Sequence, residues 1–319
     1  MKWILCIFWG YAAIIYGPLS AMATAIVWQE SFEAAFSQKK PLCVFCPGKG
    51  VWSKKFEQEV FQDAAFVKAV GNQMVFLRSD LIQEKPSFLP SFAEENLPIC
   101  LVFDEKKQQI TQFGYIPFGG EGYAKHLLEA VATYRSILHA VNGKCTAVDL
   151  EKKWQEAKQL GCLSLEDKIL EKGLQDSSST FFLLEKYAQL DCSMNAQQRK
   201  DLRQEIELRD PNNLRGSFYR LALLDFQYLV KRIKNSSDPK EIIQPLTDYL
   251  AHFPEDEERI WKVEMMVSQY LFTKGLLNDA LIHARACYKK APISIRKDIA
   301  DSIQHIRGEM RAERKMGRA

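Results

Sequence analysis

The stretch from Pro41 to Phe61, PLCVFCPGKGVWSKKFEQEVF, decides the fold. Leu42, Cys43, Val44 and Phe45 form a short apolar run. Pro47-Gly48-Lys49-Gly50 then punctuates the chain, and Val51, Trp52, Phe56 and Val60 recur at helical spacing. The order is strand, loop, helix start. A helix N-terminus carries partial positive charge and stabilises a thiolate placed there. This corner has the shape for that chemistry and no cysteine at its helix start.

Upstream, Trp28 to Lys39 reads as a short amphipathic helix with Phe32, Ala35 and Phe36 on one face. Downstream, Asp63 is placed to cap a helix over Ala64 to Val70, and Gln73 to Arg78 alternates as a second strand. Pro86 and Pro90 break the next segment, before a short helical piece near Phe92. Leu97-Pro98 opens a third strand, Ile99 to Phe103. Asp104 to Lys107 turns the chain into a fourth, Gln109 to Tyr115, as a hairpin. Gly119-Gly120 stops it, and a helix follows from Glu121 to about Leu138. Strand–helix–strand units call for parallel pairing, and the late hairpin adds an antiparallel edge. The expected architecture is an α/β domain with a central mixed four-stranded sheet flanked by helices.

Three pieces, in this order, carry a resemblance. KKPLCVF with the punctuated corner and WSKKFEQEVF is one, NLPICLVFD the second and QFGYIPFGGEGY the third. Together the segment from about Trp28 to Tyr134 resembles the thioredoxin-like fold family of secreted bacterial thioredoxins and disulfide-isomerase-like proteins. The resemblance implies that Pro98 follows a cis peptide bond. It also implies that the backbone at Leu97 pairs with an extended peptide. Trp52, Leu97 and Pro98 would then form a peptide-binding lip; Trp52 belongs either to that lip or to the core. Aligning Lys54-Lys55 with the family's lysines puts Gly50-Val51-Trp52-Ser53 where the family has its C-x-x-C. A serine hydroxyl neither ionises near neutral pH nor forms a disulfide, and exchange needs a thiolate.

Cys43-Val44-Phe45-Cys46 is formally a second C-x-x-C. On a strand, residues three apart point to opposite faces, roughly 10 Å apart at ~3.3 Å per residue. Disulfide partners lie within ~7 Å. Cys46 ends the strand beside the corner. It is either a packing cysteine or a lone reactive thiol with Lys49 or Lys54 lowering its pKa.

Residues 142–306 change character. Amphipathic helices are expected over Leu150 to Leu163, Phe181 to Leu190, Ala196 to Leu208, Phe218 to Ile233, Pro239 to Phe253, Glu257 to Thr273, Leu277 to Lys290 and Ile293 to Met310. Trp261 to Pro292 resembles a tetratricopeptide repeat, with Gly275 at the turn and Ala280 and Cys287 as small packing residues. An all-α, repeat-like second domain follows from this, ending in a basic tail over Arg307 to Ala319, expected to be solvated and partly frayed.

The first 25 residues have a basic start at Lys2, an apolar stretch from Trp3 to Tyr16 and the small-residue exits Ala21-Met22-Ala23 and Ala23-Thr24-Ala25. That is a secretory signal pattern, too short for a bilayer span of ~20 residues. Its removal leaves Cys43, Cys46, Cys100, Cys145, Cys162, Cys192 and Cys287, an odd set at irregular spacing. A formal charge of +3 gives no reason to expect nucleic acid as a partner. The histidines are scattered, and neither a metal site nor a cofactor is expected. The domains are 1–25, 26–141, 142–306 and 307–319. The expected function is binding of extended or unfolded polypeptide, or of an envelope partner, by an exported protein without redox activity at the usual position. Contact with a membrane is expected only through the signal segment before cleavage, and the bacterial periplasm or cell envelope is the expected location. The alternative is a thiol–disulfide oxidoreductase or isomerase acting through Cys46.

Overall fold

The computed structural model describes residues 25–79, 97–175, 179–190, 195–232 and 238–316, with side chains through 314. The signal segment, the prolines between the second and third expected strands and Cys192 lie outside these residues. Two compact units divide the chain, Met1–Glu171 and Lys172–Ala319.

The first unit is built on a five-stranded sheet. Its strands are β1 (Trp28–Gln29), β2 (Leu42–Cys46), β3 (Val75–Arg78), β4 (Ile99–Phe103) and β5 (Gln109–Gly114), in the order β1-β3-β2-β4-β5. β1 and β2 both run parallel to β3, whereas β2–β4 and β4–β5 are antiparallel. Four of these strands are the expected ones. The fifth, β1, lies where a helix start is expected, and α1 spans only Phe32–Ser37, capped by Ser31. Packing overrides local periodicity there: the Trp28 ring is held against Phe45, Phe61 and Phe76.

β2 is buried along its whole length because both faces of the sheet are covered. Leu42, Val44 and Cys46 pack with Val75, Leu77, Leu101 and Phe103 under α1. The opposite face meets α2 (Val51–Phe56), whose last residues continue as a π-helical turn over Glu57–Phe61, together with α3 (Ala64–Val70) and α4 (Gly119–Asn142). Phe45, Phe56, Phe61 and Tyr123 lie there with ring centroids 5.0–5.3 Å apart. α5 (Ala147–Leu160) packs on α4 and β5, and Cys162 Sγ donates to the Gln109 carbonyl at 3.1 Å. The first unit therefore runs beyond residue 141 and takes in most of α6 (Leu163–Leu174), a helix that is not among those expected from periodicity.

The second unit is all helical: α7 (Phe181–Gln189), α8 (Ala196–Arg209), α9 (Ser217–Arg232), α10 (Pro239–His252), α11 (Ile260–Thr273), α12 (Leu277–Lys290) and α13 (Arg296–Met316). From α9 onward each helix packs on the next. Gly275, at φ +74°, makes the tight turn between α11 and α12, a conformation that favours glycine. α13 continues through Met316, so most of the tail expected to fray is regular helix. Ile306 is buried and Met310 packs against the same core, which holds the start of that tail in place.

Phe56 anchors α2 from the middle of the aromatic cluster and is fully buried. Phe56→Ala is expected to destabilise the full chain by about 3–5 kcal/mol, read as a lowered denaturant midpoint for the tryptophan fluorescence of the first unit.

Candidate functional site

β2 delivers the chain to the corner, and the sheet register fixes what surrounds it. Cys46 pairs with Ile99, and Ile99 with Gly114. The end of β2, the start of β4 and the end of β5 therefore share one end of the sheet, which brings together three segments far apart in sequence.

At that end Gly50 is the N-cap of α2, with extended backbone (φ −94°, ψ 177°) and no side-chain cap. Val51 and Trp52 follow in the first turn, both well exposed, at 61% and 51%. Trp52 thus lies outside the core. Its ring packs on Tyr115 at 5.4 Å, and Lys55 Nζ sits 5.1 Å from its centroid. Ser53 turns inward. Its hydroxyl accepts from the Gly48 N–H at 2.7 Å and lies 2.8 Å from the Gly48 carbonyl, to which it donates. Ser53 therefore ties the loop that leaves β2 to the first turn of α2.

The Leu97–Pro98 peptide bond is cis, as the resemblance implies. Leu97 packs directly on the corner: a Cβ added to Gly48 would come within 2.9 Å of the Leu97 Cβ, so only glycine fits there. Pro98 is buried behind it. Trp52, Leu97 and Pro98 thus lie at the same end of the sheet.

The third side comes from QFGYIPFGGEGY, which carries part of the resemblance but supplied none of the expected site residues. Tyr123 is buried in α4. Its hydroxyl takes the Ile116 N–H and donates to the Gly114 carbonyl at 3.2 Å, fixing the exit from β5. Burial pushes the Tyr123 hydroxyl up to about 12. Ile116 and Phe118 are thereby held exposed. Tyr115 donates to Glu59, which raises the Tyr115 pKa above its ordinary value. The signal for these residues lies in the aromatic, proline- and glycine-broken run YIPFGGEGY.

Cys46 is 1% exposed, on the face under α1. Cys43 lies on the opposite face of β2, as its spacing requires. Cys43, Cys46, Cys100, Cys145, Cys162 and Cys287 are all thiols, with no disulfide among the described residues. Nor do those residues contain a cluster of metal-ligating groups, and none of their helices is long and apolar enough to cross a membrane.

Sheet order, corner and cis proline together give the first unit a thioredoxin-like fold, and the second unit is helical. The chain is 25% identical over 311 residues to the thioredoxin-related protein DsbJ of Chlamydia pneumoniae, an alignment covering 89% of this chain and 88% of that protein. A solved structure of a DsbH oxidoreductase matches 37% of this chain and 92% of its own at 19% identity, with a TM-score of 0.29. No family model matches the chain.

The corner has room for what it lacks. A Cβ at Gly50 meets nothing within 4 Å, and helical positions three apart hold their Cβ atoms ~5–6 Å from each other. Gly50→Cys combined with Ser53→Cys is expected to raise dithiothreitol-driven insulin reduction at least about tenfold, given a thiolate at a helix N-terminus. An unchanged rate would mean that the corner does not hold a reactive dithiol geometry. Ser53→Ala alone, by orphaning both Gly48 groups, is expected to cost about 1–3 kcal/mol in denaturant unfolding.

Proposed function

We propose that this chain is an exported thioredoxin-fold protein that binds extended or incompletely folded polypeptide at the corner and performs no thiol–disulfide exchange there. The observation that carries this reading is the hydroxyl of Ser53, buried and bonded to both backbone groups of Gly48. Exchange needs a thiolate that can reach an incoming sulfur. Gly50 has no side chain to offer, and Cys46 is buried.

What the corner does offer is apolar surface. Val51, Trp52, Ile116 and Phe118 are exposed beside Leu97. Exposed apolar surface at the strand ends beside the Leu97 backbone suits capture of an extended chain, with backbone pairing giving affinity and apolar contacts giving preference. Export rests on the signal pattern of residues 1–25, and it puts the protein in the bacterial envelope, where incompletely folded clients and envelope partners occur.

Insulin reduction by the mature protein is expected to be indistinguishable from buffer, and equally so for Cys46→Ser. Suppression of aggregation of a reduced, unfolding client is expected for the unsubstituted protein. Trp52→Ala, at an exposed position, should weaken it several-fold with the fold intact by circular dichroism, and Leu97→Asp should abolish it. A mixed disulfide trapped between this chain and a client, or client aggregation that proceeds equally with and without the protein, would overturn the reading.

A further inference from the structure

The second unit contains a cleft of about 460 Å³ between α9 and α10, bordered by α8. Its floor is apolar: Phe218 and Leu229 from α9, Pro245 from α10 and Phe253 just beyond it. Its charge is one-sided. Glu207, Asp225, Glu241 and Asp248 line it, against Arg203 and His252.

These charges are not equivalent. Asp225 accepts from Arg199 at 2.5 Å, from Tyr187 at 2.7 Å and from Arg203. Arg203 also reaches Glu207 at 3.3 Å. The cleft's guanidinium is therefore already neutralised within the protein. Glu241 and Asp248 differ: both are exposed, and neither forms an ion pair with a described residue. Pro245, inside α10, has no N–H for the Glu241 carbonyl, which adds a backbone acceptor on the same stretch of helix.

We propose that this cleft binds a polypeptide segment with two basic side chains flanking an apolar one. Glu241 and Asp248 lie two helical turns apart, ~10 Å at ~1.5 Å per residue. In an extended peptide residues i, i+2 and i+4 share one face and span ~13 Å at ~3.3 Å each, so lysine or arginine residues four apart reach the two carboxylates through their flexible side chains while the apolar residue midway between them enters the apolar floor. Both rim charges lie at the surface, so complementarity there sets the on-rate, specificity and salt dependence. This proposal is independent of the corner.

The test is fluorescence anisotropy of the full chain with a labelled lysine–serine–leucine–serine–lysine peptide and with its glutamate–serine–leucine–serine–glutamate counterpart. The basic peptide is expected to bind and to weaken as salt rises; the acidic one is expected not to bind. Glu241→Gln with Asp248→Asn, both exposed and isosteric, should weaken the basic peptide at least about tenfold, as for loss of two complementary rim charges. Trp52→Ala should leave it unchanged. Equal binding of the two peptides, no binding of either, or full affinity in the double variant would overturn the proposal. Loss in Trp52→Ala would assign the peptide to the corner instead.

Discussion

The constraint on which the first unit turns is the pair of hydrogen bonds between Ser53 and Gly48. A helix start leaves backbone N–H groups without helical partners, and a buried corner must satisfy its own polar groups. Here the inward hydroxyl ties the third residue of α2 to the loop that leaves β2. Gly48 is held between that hydroxyl and Leu97, with no space for a side chain. The loop, the start of α2 and the approach to β4 are therefore tied together. That brace leaves Val51 and Trp52 facing outward.

The sulfur chemistry of the rest of the first unit agrees with a helix start that carries no cysteine. Cys43 and Cys100 lie on the same face of adjacent strands, diagonal to each other in register. Burial pushes the Cys100 thiol well up, and the hydrogen bond to Cys43 adds to it. In the second unit burial pushes Cys287 up to about 11. A raised pKa leaves little thiolate at neutral pH, so Cys100 and Cys287 act as small core hydrophobes. The sheet gains packing from Cys100.

Much of this was legible from residue order. The corner, Pro98 and the hairpin from Ile99 to Tyr115 each carry a local signal: a proline or glycine at a fixed offset from an apolar run. β1 carries none. Two residues cannot display a period, and Trp28–Gln29 becomes a strand only because Phe45, Phe61 and Phe76 offer the indole a site. α6 was not expected: the helix expected over Leu150 to Leu163 ran past Gly161, whose φ of +68° ends α5, and it stopped where α6 begins. The acidic cleft was invisible for another reason. Tyr187, Arg199 and Arg203 converge on Asp225 from positions 22 to 38 residues away, beyond any local pattern.

The two units present unlike surfaces. Around the corner Lys49 and Lys54 are exposed and Lys55 covers Trp52, while Glu57 is engaged by Arg78 at 3.0 Å and Glu59 by Tyr115. Glu59 keeps its charge against a neutral phenol, and Lys49, Lys54 and Lys55 outnumber it, so the balance there is positive. In the α9–α10 cleft it is negative, because the guanidinium lining it is held by Asp225 and Glu207. Apolar contact alone discriminates poorly between polypeptide segments, since most unfolded chains carry apolar residues; the flanking charge supplies the difference in affinity. On the two proposed readings, a corner rimmed by lysines would disfavour basic neighbours of an apolar anchor and a cleft rimmed by carboxylates would favour them. The two surfaces would then divide unfolded sequence between them by charge, a selectivity that one apolar site could not provide.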